Sequence, residues 1–229
     1  MSDKAQQLDA QKQDAAESAV QLVTSGMIVG LGTGSTANHA TRAIGREIAN
    51  GRLEDILGIA TSHRTADLAT ELGIPLTTLE EHQEIDITID GADEVDPYGN
   101  LIKGGGGALL REKIVAEATK EYVIIVDETK IVDRLAVAFR VPVEVVQFGW
   151  KTLEPFLRSL QAEPVMRHDS TGVPFQTAAG NYILDCQFEG GIDDPADMQR
   201  TLKAHTGIVE TGLFVGFDPK VIVGQSLHT

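Results

Sequence analysis

Cysteine is nearly missing from this chain. Cys186 is the one thiol in 229 residues, so an internal disulfide framework is excluded and a reducing compartment fits. Positive charge is also scarce: 19 Lys and Arg stand against 34 Asp and Glu, a formal net charge of −15. Nucleic acid and anionic membrane both call for a basic surface, so neither is expected as a partner. A small anion, which feels only the local field, stays open. No apolar run approaches the roughly 20 residues of a membrane helix. The opening MSDKAQQLDAQKQDAAESAV has no apolar stretch like that of a secretory signal, so a cytoplasmic location is expected. The histidines, at 39, 63, 82, 168, 205 and 228, form no i,i+4 ligand pair, and no metal is expected.

What remains is ordinary globular composition, 42% apolar and 23% charged. Short apolar runs at 27–31, 56–60 and 122–126, and the strictly alternating Ile85–Asp90, read as strands. Helical stretches at 5–25, 37–48, from Ser62 and at 108–119 alternate with them. Ser62 or Thr61 serves as N-cap of the third helix. Strands alternating with helices predict a parallel α/β sheet covered on both faces. After about Leu135 the order changes. Strands at 141–146, 164–167, 182–188 and 208–211, with helices at 150–160 and 196–205, give β-α-β-β-α-β, the split order of a ferredoxin-like unit. The expected division is a Rossmann-like domain of residues 1–135 plus 207–229 and a smaller α+β domain of residues 136–206. The tail runs at 213–215 and 221–223 are expected to rejoin the first sheet.

Three motifs carry candidate chemistry. Gly30-Leu31-Gly32-Thr33-Gly34-Ser35-Thr36-Ala37 lies between a strand and a helix. Its glycines permit a tight turn and close approach to a phosphate, and the helix N-terminus adds donors. No Lys follows the glycines, so it is not a P-loop. The second strand ends Ala60-Thr61-Ser62 without the acid that a dinucleotide ribose needs. A small-anion loop and a plain βα turn both remain. Asp90-Gly91-Ala92-Asp93-Glu94-Val95-Asp96 ends the third strand. Paired carboxylates there suit proton transfer, and a solvated acidic turn is the alternative. A calcium loop is rejected because Pro97 stands where a bidentate Glu is required. Lys103-Gly104-Gly105-Gly106-Gly107 precedes a helix containing Arg111-Glu112-Lys113. Four glycines cost much backbone entropy, and backbone N–H groups with Lys103 suit an oxyanion. Glu112 taken alone reads as an exposed helix carboxylate near the N-terminal dipole. Lys130, in Asp127-Glu128-Thr129-Lys130 after a buried strand, suits a phosphate or is an ordinary surface residue. Tyr182, Leu184, Cys186 and Phe188 share one strand face, which makes Cys186 a core thiol.

Taken in order, GLGTGSTA, TSHRTADLA, DGADEVD, KGGGGALLREK, DETK and the PVEV of residues 142–145 resemble the A-type ribose-5-phosphate isomerases over nearly the whole chain. The fourth glycine departs from relatives that have Ala there. The resemblance implies interconversion of D-ribose 5-phosphate and D-ribulose 5-phosphate, a step of the non-oxidative pentose phosphate pathway, through an enediolate. It implies Glu112 as the base, with Asp90, Asp93 and Lys103 around the reacting end of the sugar. It implies substrate contacts from Thr33, Gly34, Ser35 and Thr36, from Gly91 and Ala92, and from Gly104, Gly105 and Gly106. Lys12 and Lys130 match lysines near the phosphate. It implies a homodimer or homotetramer, and neither metal nor organic cofactor. A sugar-phosphate sensor on a related α/β fold is the competing reading, against which the absence of a DNA-binding segment and the −15 charge count.

Overall fold

The computed structural model describes residues 3–225. In chain order, the first elements are α1 (Asp3–Val20), β1 (Ile28–Leu31), α2 (Ser35–Ala49), β2 (Leu57–Ala60), α3 (His63–Glu71) and β3 (Ile85–Asp90). Then follow β4 (Glu94–Val95), β5 (Leu101–Ile102), α4 (Leu109–Glu117), β6 (Thr119–Val126) and β7 (Val141–Val145). The last are α5 (Glu154–Ser159), β8 (Ala162–Met166), β9 (Tyr182–Phe188), α6 (Pro195–Lys203), β10 (Ile208–Thr211), β11 (Leu213–Phe214) and β12 (Lys220–Val223). The chain divides into two compact units. The first takes the residues up to Ala92, Arg111–Ile131 and the residues from Phe217; the second takes Asp93–Leu110 and Val132–Gly216.

The first unit is a parallel sheet of order β12-β6-β3-β1-β2. Its strands are apolar because helices cover them. Val29, Leu31, Ile87, Ile89, Val123 and Ile125 are sealed against the alanines of α1 and against Ile44 of α2. Burying each large aliphatic side chain contributes roughly 1.5–3 kcal/mol. Ser62 caps α3 by accepting from the Thr65 N–H at 3.1 Å. The alternation in β3 does not mark a wet face at its end: Thr88 and Asp90 are as buried as Ile87 and Ile89. Gly30 makes this possible. A Cβ there would fall 2.0 Å from Thr88 Oγ1, and the same strand's extension, Gly32, faces Asp90.

The second unit contains an antiparallel sheet of order β10-β7-β9-β8, with α5 and α6 as its crossovers. This is the split β-α-β-β-α-β order. Val141, Val143, Leu157, Leu184, Cys186 and Leu202 form its core. The helix expected over 150–160 is a 3-10 turn (Trp150–Leu153) followed by α5.

The boundaries differ from those expected. Residues 93–110, 132–135 and 207–216 lie in the second unit, not the first. The reason is a third sheet, β11-β5-β4. The β4–β5 hairpin pairs with β11, which is continuous with β10 through Gly212. Glu94 then staples the hairpin by accepting from the N–H groups of Ala136 at 2.7 Å and Phe139 at 2.8 Å. So Leu213–Phe214 does not rejoin the first sheet, whereas Lys220–Val223 does, parallel to β6.

Candidate functional site

The order of the first sheet reverses at β1, with β2 on one side and β3, β6 and β12 on the other. Ligands of open α/β sheets bind outside the carboxyl ends of the strands at such a switch point. The loops there are those predicted. Asp90, the last residue of β3, is fully buried, and its Oδ1 accepts from the Thr33 N–H at 3.1 Å and the Gly91 N–H at 2.7 Å. A Cβ on Gly32 would lie 2.2 Å from that same oxygen, so only glycine lets the two strand ends approach. Gly34, at φ 126, is the one glycine of this motif in the left-handed region. As N-cap of α2 it offers no side-chain acceptor, which leaves the positive end of a 15-residue helix open to an anion.

Thr33 behaves differently from its neighbours. Its hydroxyl lies 2.7 Å from that of Thr61, 2.8 Å from that of Ser62 and 3.1 Å from that of Thr65. This hydroxyl cluster pins the loop to α3, so the Thr33 side chain holds the loop's shape while Ser35 is the exposed hydroxyl. Thr65 has no signal in the sequence, and Thr61 only that of an alternative N-cap, because isolated threonines carry no positional signal.

Lys12 is brought to the same loop by the packing of α1 on α2. Its Nζ donates to Ser35 Oγ at 3.3 Å and lies 3.9 Å from Asp127 Oδ2, at the end of β6. Asp127 is buried and caps the 3-10 turn Glu128–Lys130 by accepting from the Thr129 N–H at 3.0 Å. Lys130 ends that turn half-buried, with no ion pair among the described residues. Gly91 lies against Thr36, with an added Cβ 3.8 Å from the Thr36 Cβ.

Glu112 stands in the first turn of α4 and is 5% exposed. That overturns the reading of an exposed helix carboxylate. A buried carboxylate is costly unless it has a task or partners.

The second unit carries the other predicted residues. Lys103 follows β5 and is 2% exposed; its backbone N–H donates to Gly212 O at 2.9 Å and its Nζ lies 5.6 Å from the centre of the Phe214 ring. Asp93 accepts from the Gly105 N–H at 2.8 Å. Gly104 (φ 104) and Gly107 (φ 80) adopt conformations that side chains resist, and Gly105 and Gly106 are exposed between them. Ala92 is half-buried beside Gly91 in the chain. A cavity of about 380 Å³ in the first unit, lined by Ile59, Ser62, His63, Leu76, Arg111 and Ile114, contains none of the predicted residues.

Among the described residues no group of three His, Cys, Asp or Glu side chains is arranged to hold a metal, and no helix is long and apolar enough to cross a membrane.

Comparison with known proteins shows the family. The model of ribose 5-phosphate isomerase A (phosphoriboisomerase A) matches residues 57–227. A ribose-5-phosphate isomerase A of Desulfatibacillum aliphaticivorans is 54% identical over 215 residues, 94% of this chain and 93% of its own. The structure of a D-ribose-5-phosphate isomerase in complex with phospho-erythronic acid superposes with a TM-score of 0.91 at 39% identity, covering 95% of each chain. The ribose 5-phosphate isomerase of Plasmodium falciparum gives 0.91 at 39% identity, covering 95% of this chain and 96% of that one.

Proposed function

The chain belongs to the ribose 5-phosphate isomerase A family, and from that membership we propose that it interconverts D-ribose 5-phosphate and D-ribulose 5-phosphate, with Glu112 as the general base. The observation that carries the site reading is the set of donors at the carboxyl ends of β1 and β6. The donors are the N-terminus of α2 without a side-chain cap, Ser35, Lys12 within 3.3 Å of it, and Lys130 after β6, in a chain of net charge −15. That set suits a phosphate, and Lys12 and Lys130 are its charged members.

The chemistry follows in steps assigned to this chain's residues. The carboxylate of Glu112 takes the proton from C2 of the open aldose and returns it to C1, through an enediolate. Negative charge develops on the oxygens at C1 and C2, where donors fixed in advance lower the barrier most. Lys103 and the N–H groups of the glycine run are such donors. Asp90 and Asp93 are the carboxyl groups that the family resemblance places at the reacting end, and one of them assists opening of the sugar ring. No organic cofactor takes part in this scheme. Phospho-erythronic acid, the ligand of the related structure, presents a planar carboxylate where the enediolate would form, and is proposed to compete with substrate here. A cytoplasmic location and a homodimer or homotetramer belong to the same proposal, the second checked by sedimentation.

Glu112→Gln tests the assignment. The change keeps the side chain's size and removes the base, so kcat is expected to fall by about 10² to 10⁴. Phospho-erythronic acid should still bind, and thermal unfolding should hardly move. Wild-type turnover in heavy water should place deuterium at C1 of the ribulose product. Retained turnover in a folded Glu112→Gln protein would move the base to Asp90 or Asp93.

A further inference from the structure

Arg167 is absent from every motif in the sequence, yet its guanidinium reaches two carbonyls of the glycine run. It follows β8 and is 14% exposed. Its Nε donates to Asp185 Oδ2 at 2.9 Å and its Nη2 to Asp185 Oδ1 at 2.5 Å, a two-point grip from β9. Its Nη1 reaches the carbonyl oxygens of Gly104 at 2.8 Å and Gly105 at 3.3 Å. The guanidinium carbon lies 5.9 Å from the centre of the Phe175 ring, and the Phe175 N–H donates to the Arg167 carbonyl at 2.9 Å. That ring occupies the space a side chain at position 107 would need: a Cβ on Gly107 would meet it at 2.5 Å.

Peptide planarity turns these contacts into a mechanism. In a trans peptide the C=O and the following N–H point in opposite directions. With the Gly104 carbonyl held on Arg167, the Gly105 N–H points away from it, onto Asp93 Oδ2 at 2.8 Å. With the Gly105 carbonyl on the same nitrogen, the Gly106 N–H also points away, and it has no hydrogen bond among the described residues. We infer that Arg167 is a positioning residue for the isomerisation: its guanidinium, aimed by Asp185 and backed by Phe175, orients two glycine peptides, one to hold Asp93 and one to present the Gly106 N–H to the developing oxyanion. Only Arg supplies donors in a planar fork that serve a carboxylate and two carbonyls together.

The inference rests on the proposed reading of the glycine run, and the test separates the two. Arg167→Lys keeps the charge beside Asp185 but loses the fork. Its kcat is expected to fall about 10- to 100-fold, the scale of a misplaced donor, with KM changed less than about threefold because the phosphate donors lie in the first unit. Tm should stay within a few degrees. Arg167→Ala combined with Asp185→Asn leaves no unpaired buried charge, and its kcat should recover in part with added guanidinium ion but not with methylammonium. A purely structural role predicts loss of folded protein with normal kcat per folded enzyme, and that result overturns the inference. So does wild-type kcat in folded Arg167→Lys. Full activity in Glu112→Gln alongside a damaged Arg167→Lys would instead refute the base assignment and leave the positioning role standing.

Discussion

Lys12 and Lys130 have different surroundings, and their expected behaviour differs accordingly. Lys12 already has Ser35 and Asp127 as partners, so its charge is partly answered within the protein. Lys130 has no such ion pair. Replacing Lys130 by Ala should raise KM about tenfold or more, the loss of a charge-assisted hydrogen bond worth about 1.5–3 kcal/mol, with kcat little altered. Steady-state kinetics decide it, and an unchanged KM would remove Lys130 from the phosphate site. Cys186 is the opposite case, a chemical group with no chemical task. It is fully buried in β9, and burial pushes its thiol well above the ordinary range, so it stays neutral and packs as an apolar side chain.

At the level of elements, the strand ends opposite the site are held by Asp86. Its Oδ2 accepts from the Ile28 N–H at 2.9 Å and its Oδ1 from Lys120 Nζ at 3.2 Å, linking the first turns of β3, β1 and β6. The Ile28 N–H holds the carboxyl below its usual value; partial burial opposes this, and Lys120 adds to the lowering. A depressed carboxyl stabilises the fold above its ordinary value of 3.8, and that contribution disappears as pH falls through the lowered one. Asp86→Asn is therefore expected to destabilise the neutral protein by less than about 1 kcal/mol, since the group is 34% exposed and water screens it. In urea unfolding, the gap between wild type and variant should close on acidification below 3.8. A gap independent of pH would show that Asp86 acts by packing alone.

For the whole molecule, a net charge of −15 and an anionic substrate look incompatible until the scale of the field is considered. Exposed charges are screened within about 8 Å at physiological ionic strength, so the proposed phosphate donors answer to their near neighbours and not to the whole chain's charge. Acidic residues invite divalent cations, yet no three ligating side chains converge among the described residues. Exhaustive chelation should consequently leave turnover unchanged. Activity lost on chelation and restored by one divalent ion would reopen the acidic end of β3 as a metal site.

Legible in the residues alone were the alternation of buried strands with helices, the split order of the second unit, a cap at Thr61 or Ser62, the core position of Cys186 and the acid-bearing loops at strand ends. These are local: they follow from periodicity of 2 or 3.6 residues and from turn chemistry written in consecutive residues. Tertiary structure decided what depends on residues far apart in the chain. It paired β11 with β5 rather than with the first sheet, and so placed Asp93 and Lys103 in the second unit. It buried Glu112 and turned Thr33 into a member of a hydroxyl cluster. It brought Lys12 to Ser35, 23 positions away, and Arg167 to Gly104, 63 positions away. A lone Arg or Lys carries no pattern in its own neighbourhood. Its role depends on which carbonyl or carboxylate the packed chain sets within about 3 Å of it, and only the folded backbone fixes that distance.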